Sequence, residues 1–276
     1  MSRKLLSLAA MAALTAVAYA APAAATTATI KILSSSTYLY GSESIVYDYY
    51  NNTSSNHDGT AGGFAGYLNG ATTPVVFWCA DLDDPLATTS GATAYTYTLN
   101  ILGTGTSTGP GQKPSTNTIV FDTATEVNKM NALLYNGQAL ITATSNSTIK
   151  QQYSSALQVA IWALLYNGNL GTLNDVSSNS NPFNLDSSNS GMVASNANKF
   201  LGCILGTTSS GICSSTWAAN AGSQPVVYSL DGKQTVIGLG STGGDSGGGT
   251  PVPEPASMAL LGAGLLGLGM LHRRRK

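Results

Sequence analysis

The chain has 276 residues, 31 of them glycine, and only 9% are charged, against about a quarter in an ordinary globular protein. Half of its positive charge sits at the two ends, in Arg3, Lys4, Arg273, Arg274, Arg275 and Lys276, and residues 26–250 keep six lysines, no arginine and twelve acids. A surface that negative cannot neutralise phosphates, which excludes nucleic-acid binding. Two histidines, His57 and His272, with three cysteines cannot build a four-cysteine zinc site. No metal or cofactor is expected.

Residues 1–25 read as an export signal: Arg3 and Lys4, then an apolar run, then small residues with cleavage positions ending at Ala20 or Ala25. Export places the cysteines in an oxidising compartment.

Residues 26–237 read as one domain, long enough to bury a real core. Its first part predicts strands at residues 29–33, 44–50, 75–82 and 95–99, each rich in Val, Ile, Thr and Tyr and bounded by Gly, Asn and Ser. Between the second and third lies NNTSSNHDGTAGG, a predicted loop that leaves His57 exposed and poorly held. A cysteine hydrolase pairing Cys79 with His57 therefore lacks a positioned base. In the segment TPVVFWCADLDDPL, strand alternation places Val75, Phe77, Cys79 and Asp81 on one face and Val76, Trp78, Ala80 and Leu82 on the other. Asp81, Asp83 and Asp84 surround Pro85 without the ligand spacing of a calcium loop, and an exposed turn is the plainer reading.

The middle of the chain predicts helices over residues 123–135 and 149–166, both ending in ALLYNG, with Asn-Gly as a stop that tolerates the left-handed conformation. In the second helix Gln158 stands alone among apolar residues, four positions before Trp162 and on its face. Such an amide either finds hydrogen-bond partners in the backbone or does chemistry, because leaving it unpaired costs a few kcal/mol. Residues 172–190, mostly Asn and Ser, predict a loop; a short helix follows at 192–201, then strands at 226–230 and 235–237. Cys203 and Cys213 enclose nine residues rich in Gly and Ser, a spacing that fits a small disulfide ring or two buried free thiols. Cys79 is left over, and an odd cysteine in an exported chain points to a reactive thiol, an intermolecular bond or another covalent fate.

Residues 238–251 are a Gly/Ser-rich linker. Residues 252–276 carry Pro253, Glu254 and Pro255, sixteen uncharged residues at 256–271, and a basic cluster of Arg273, Arg274, Arg275 and Lys276. A helix of that length spans roughly 24 Å, short of a full hydrocarbon core but extended by snorkelling ends. The basic end would stay in the cytoplasm, as a permanent anchor or a processed tail.

The order VPEP, apolar helix, RRRK resembles the PEP-CTERM sorting signal of Gram-negative bacteria. That resemblance implies exosortase as a processing partner, a transient inner-membrane anchor, and delivery to the cell surface or an extracellular matrix. Taken together, WCADL around Cys79 and LQVAIW around Gln158 resemble the two signatures of the thioester domains of bacterial surface proteins. What this resemblance implies is a side-chain cross-link between Cys79 and Gln158, sheltered by Phe77, Trp78, Asp81 and Trp162, which a target amine or hydroxyl opens once. Such a protein is a covalent adhesin, not an enzyme. A non-covalent matrix protein with a merely buried Cys79 is the alternative from composition. The expected fold is α+β: a β-sandwich or barrel-like strand region with a helical subdomain, flanked by the signal peptide and a transmembrane sorting helix.

Overall fold

The computed structural model describes residues 26–32, 38–49, 57–82, 94–101, 124–167, 176–177, 183–186, 191–207, 211–230 and 232–241. The export segment, most of the linker, and the sorting tail with its apolar helix lie outside these residues. Among the described residues no helix is long and apolar enough to cross a membrane.

In chain order the elements are β1 (Thr26–Ile32), β2 (Glu43–Tyr49), β3 (His57–Ala61), β4 (Phe64–Leu68), β5 (Val75–Cys79), β6 (Tyr95–Ile101), α1 (Ala124–Ala143), α2 (Ser147–Asn167), β7 (Phe183–Leu185), α3 (Gly191–Leu205), β8 (Ser223–Leu230) and β9 (Lys233–Ser241). Six strands close into an antiparallel barrel in the order β1-β4-β5-β9-β8-β6, and β3-β2-β7 form a separate sheet. The strand region is thus a barrel and not a sandwich. Closure removes the exposed edges an open sheet would carry.

Period-two patterning sets the barrel. In β1 the side chains of Ala28, Ile30 and Ile32 are buried, and Thr27, Thr29 and Lys31 between them are not. Ala28 lies opposite Tyr97, and Ile32 opposite Gly66. Phe64 opposes Phe77, and Cys79 and Tyr228 both oppose Val236. Since paired residues share a face, Ala28, Tyr97, Phe77, Cys79 and Tyr228 belong to the inner set. Trp78, Ile237 and Val227 belong to the outer set.

Helix α2 packs against α1, α3, the barrel strand β5 and all three strands of the smaller sheet. Every residue from Ser154 to Leu164 is buried, so this stretch is enclosed on every side and is apolar apart from Ser154, Ser155 and Gln158.

Several expectations need correction. Asn136 and Gly137 do not stop α1, which runs on to Ala143. Asn136 bonds back to the Ala132 carbonyl at 2.8 Å. A Cβ at residue 137 would sit 2.8 Å from Leu157 Cδ1, so this glycine serves a close helix-helix approach. His57 is not in a loop: it opens β3, half-buried, its ring stacked on Tyr47 at 5.8 Å. The Asn/Ser-rich loop contains a strand, Phe183–Leu185, paired with β2. Strand β4, FAGYL, was hidden by its glycine and alanine content. Strand β9 continues through Gly238 to Ser241, into the stretch that composition reads as linker.

Candidate functional site

Cys79 is the last residue of β5, where the barrel ladder comes apart on one side. Ala80 donates its N–H to the Thr235 carbonyl at 2.9 Å, on the β9 side. Alternation in an antiparallel ladder then turns the N–H and C=O of Cys79 the other way, toward β4. The β4 pairing ends at Phe64 opposite Phe77. Two residues further along, Cys79 faces the place that Gly62 would occupy if β4 began earlier.

Helix α2 fills that opening. Cys79 N–H donates to Gln158 Oε1 at 2.9 Å, and Gln158 Nε2 donates to the Cys79 carbonyl at 2.7 Å. The carboxamide thus takes the ladder position β4 has left, satisfying both backbone groups of Cys79 and both ends of its own amide. Neighbouring serines hold the displaced chain: Gly63 N–H donates to Ser154 Oγ at 3.1 Å, and Ser155 Oγ donates to the Ala61 carbonyl at 3.0 Å. Ser154 and Gln158 lie four residues apart, on one helix face. Gly63 must be glycine for the chain to pass here, because a Cβ would lie 2.4 Å from Val76 Cγ2 and 2.9 Å from the Trp78 ring.

Water is kept out. Cys79 is 3% exposed and Gln158 0%. Burial, then the nearby Asp81 carboxylate, pushes the Cys79 thiol well above its ordinary range, so it rests as a neutral S–H. Phe77 lies on the inner face with Cys79 and meets the Tyr228 ring edge-on at 5.5 Å. Trp78 is fully buried on the outer face. Trp162, one turn beyond Gln158, packs between Tyr47 at 5.8 Å and Phe183 at 5.9 Å, walling the helix off on the side of the smaller sheet. Asp81 is buried, and its carbonyl accepts from Gln234 Nε2 at 2.5 Å.

The structure therefore brings Cys79, Gln158, Phe77, Trp78 and Asp81 together, with Trp162 one turn away. It leaves His57 on the smaller sheet against Tyr47, while Cys79 ends a barrel strand. Asp83 and Asp84 lie outside the described residues. Cys203 and Cys213 form a disulfide with Cα atoms 6.0 Å apart, and Cys79 is the free cysteine. The bridge ties the end of α3 to the following loop, where Trp217 N–H donates to the Cys203 carbonyl at 2.9 Å and its ring packs on Phe200.

Sequence reasoning missed Ser154, Ser155 and Tyr38. Tyr38 bridges to Phe64, its ring 4.9 Å from the Phe64 ring, and its hydroxyl pKa is raised by burial and by Cys79 and eased by a hydrogen bond with Thr60. Ser154 and Ser155 carried a visible signal: two hydroxyls in the first buried turn of an otherwise apolar run.

The PEP-CTERM protein-sorting motif matches residues 251–276. It marks the chain as an exported surface protein of Gram-negative bacteria and implies processing by exosortase. No curated protein matches the chain in sequence. Among solved structures the chain is similar to the N-terminal domain of the Streptococcus pyogenes pilus tip adhesin Cpa. The identity is 12% and the TM-score 0.40, over 71% of this chain and 93% of that one. It is also similar to the N-terminal thioester domain of fibronectin-binding protein SfbI from Streptococcus pyogenes. There the identity is 12% and the TM-score 0.41, over 79% of this chain and 95% of that one.

Proposed function

We propose that this exported surface protein forms an internal thioester between Cys79 and Gln158 and uses it once, to attach itself covalently to an amine or hydroxyl on a surface or matrix target. The observation that carries the reading is the paired hydrogen bonding of the Gln158 carboxamide with the backbone of the one free cysteine. In formation the Cys79 sulfur attacks the Gln158 carboxamide carbon, the C–S bond forms, the C–N bond breaks, and ammonia leaves. An amide is a poor electrophile, so the fold must supply placement and charge stabilisation. Placement comes from the helix seated in the ladder gap. Stabilisation comes from the Cys79 N–H, already aimed at the oxygen where negative charge develops.

Once made, the thioester is a stored acylating group shielded from water by Phe77, Trp78 and Trp162. A target amine attacks the acyl carbon, leaving a Gln158-derived amide and a free Cys79 thiol; a hydroxyl leaves an ester. Each molecule reacts once, which makes the protein a covalent adhesin and not an enzyme. The functional unit is residues 26–241, since β9 belongs to the barrel as far as Ser241; it is delivered by the export segment at 1–25 and carried on the rest of the linker and the sorting tail at 252–276.

The test is the intact mass of the purified exported chain before and after incubation with methylamine. The expected result is a mass short of one ammonia beyond the disulfide, then gain of methylamine with one newly alkylatable thiol. A full-mass chain whose unfolded form is alkylated at Cys79 from the start, with no amine uptake, overturns the reading. That outcome would favour a non-covalent matrix protein, in which the Gln158 amide is simply a buried polar group satisfied by backbone.

A further inference from the structure

We propose that Ser154 and Ser155 are positioning residues of this site: they clamp the chain on either side of Gly62, keep it off Cys79, and so reserve the two backbone groups of Cys79 for the Gln158 carboxamide. The inference rests on the thioester reading above and adds two residues that neither sequence signature contains.

The backbone of Cys79 has a rival partner. Phe64 pairs with Phe77 and Gly66 with Val75, and the same register carried two residues further sets Gly62 opposite Cys79. Both backbone groups of Cys79 point to that side of β5, because those of Ala80 point to β9. A β4 strand longer by two residues would take the hydrogen bonds that Gln158 now makes, and the carboxamide would lose its place at Cys79. The chain is instead caught on each side of Gly62. Ser155 Oγ donates to the Ala61 carbonyl at 3.0 Å, sharing its hydrogen with the Gln151 carbonyl at 3.1 Å, and Ser154 Oγ accepts from the Gly63 N–H at 3.1 Å. Ala61 still pairs with Glu43 in the smaller sheet while Phe64 pairs in the barrel, so the clamp sits where the chain passes from one sheet to the other.

Clamp and amide belong to one helix face. Gln151, Ser154, Ser155 and Gln158 recur at helical spacing, and each holds a piece of backbone. Gln151 Nε2 donates to the Ser42 carbonyl at 2.5 Å, the serines hold residues 61 and 63, and Gln158 holds residue 79. Both serines are fully buried. Buried hydroxyls need partners, and Ser154 finds its partner 91 residues away in the chain, not in its own helix. Because one rigid element carries all four side chains, it fixes where Gly62 lies relative to the carboxamide. The fraction of molecules with Gln158 seated then scales the rate of cross-linking, as the population of a competent conformer scales whatever passes through it.

The experiment uses the purified exported chain as wild type, Ser154→Ala, Ser155→Ala, the double variant, and Asn167→Ala as a control that loses stability elsewhere on the helix. Ammonia opens the bond and restores Gln158; after its removal, intact mass follows re-closure, and urea unfolding reports stability. The same serine changes in a Cys79→Ala chain, which cannot react, are followed by amide hydrogen exchange. The expected result is re-closure on the order of 10-fold slower in the double variant, the weight of two neutral hydrogen bonds, with smaller losses in the single variants and none in Asn167→Ala. In Cys79→Ala the Gln158 side-chain N–H is expected to be protected. Without the serines it should exchange freely while the backbone N–H at position 79 stays protected, now by Gly62. A purely structural role would keep both protected or expose both, and either pattern overturns the proposal. So does re-closure at the wild-type rate in the folded variants, or a loss that Asn167→Ala matches at equal stability. Each of these leaves the thioester standing. A wild-type chain with no missing ammonia removes the thioester reading instead, and the exchange measurement still decides whether the serines hold the amide.

Discussion

Helix α2 carries two buried amides that make the same pair of bonds near its middle and at its end. Gln158 exchanges two hydrogen bonds with the backbone of Cys79, at 2.9 and 2.7 Å. Asn167 does the same with Phe183, accepting from its N–H at 2.8 Å and donating to its carbonyl at 3.2 Å. In both places a carboxamide stands in for a missing strand neighbour. At Phe183 the arrangement pins the short strand β7 to the helix. At Cys79 it does the same for the end of β5, but the residue so held bears a nucleophilic sulfur. The hydrogen bonds alone are structural; what separates the two places is the thiol.

The largest expected effects test that separation directly. Cys79→Ala keeps the backbone groups that Gln158 binds, so it should fold with a stability change within about 1 kcal/mol yet lose ammonia release and methylamine uptake completely. Gln158→Glu should also lose both, since a carboxyl group has no ammonia to expel. Asn167→Ala should do the reverse: full methylamine uptake by intact mass, with a loss in urea unfolding of about 2 kcal/mol for two orphaned backbone groups. If Asn167→Ala abolished uptake while folded, the two amides would not be separable and the thiol would not be what distinguishes them.

How much of this was legible in the sequence follows from how local each signal is. The strand around Cys79 and the helix around Gln158 were plain because each carries its period in a run of apolar residues. That the two meet is a matter of register: β4 starts two residues too late to cover Cys79, and nothing in FAGYL states where its partner strand will end. The repeated ALLYNG shows the limit most clearly. The same six letters continue a helix at Asn136, because Gly137 lets Leu157 approach, and close one at Asn167, whose side chain is claimed by Phe183. Tertiary contacts decide between the two outcomes, and identical letters cannot encode different neighbours. His57 was misplaced for a related reason: its strand is held by pairing with β2 and by Tyr47, not by its own Gly- and Asp-containing sequence.

A smaller effect tests how the helix is seated. Gly137→Ala drives a methyl against Leu157, one residue before Gln158. Overpacking of this kind costs about 1 to 3 kcal/mol, read as a lower urea midpoint. Because Leu157 and Gln158 share a turn of α2, the fraction cross-linked should fall with it, whereas Asn167→Ala loses stability without that fall. Proportionate losses in both variants would mean that cross-linking tracks global stability and not helix placement.

The smallest effect concerns pH. In the unreacted or amine-opened protein, burial and Asp81 raise the Cys79 thiol above its ordinary 9.0. The unfolded chain then releases this proton near pH 9 while the folded chain keeps it, so the unfolded state binds fewer protons and stability falls as pH rises, by up to about 1.4 kcal/mol per unit. Tyr97 and Tyr228, both raised from 10.0 to about 12, and Tyr38, also raised, add losses of the same sign that begin about one unit below pH 10 and grow above it. In the cross-linked protein sulfur carries no proton in either state, and the Cys79 share of the slope between about pH 9 and 10 disappears, leaving that of the tyrosines. Phe183 has no titrating group, so Asn167→Ala leaves the slope as it is in its parent. Urea unfolding across that window, before and after methylamine, should therefore show the slope steepen only on opening, and in Cys79→Ala no steepening at all.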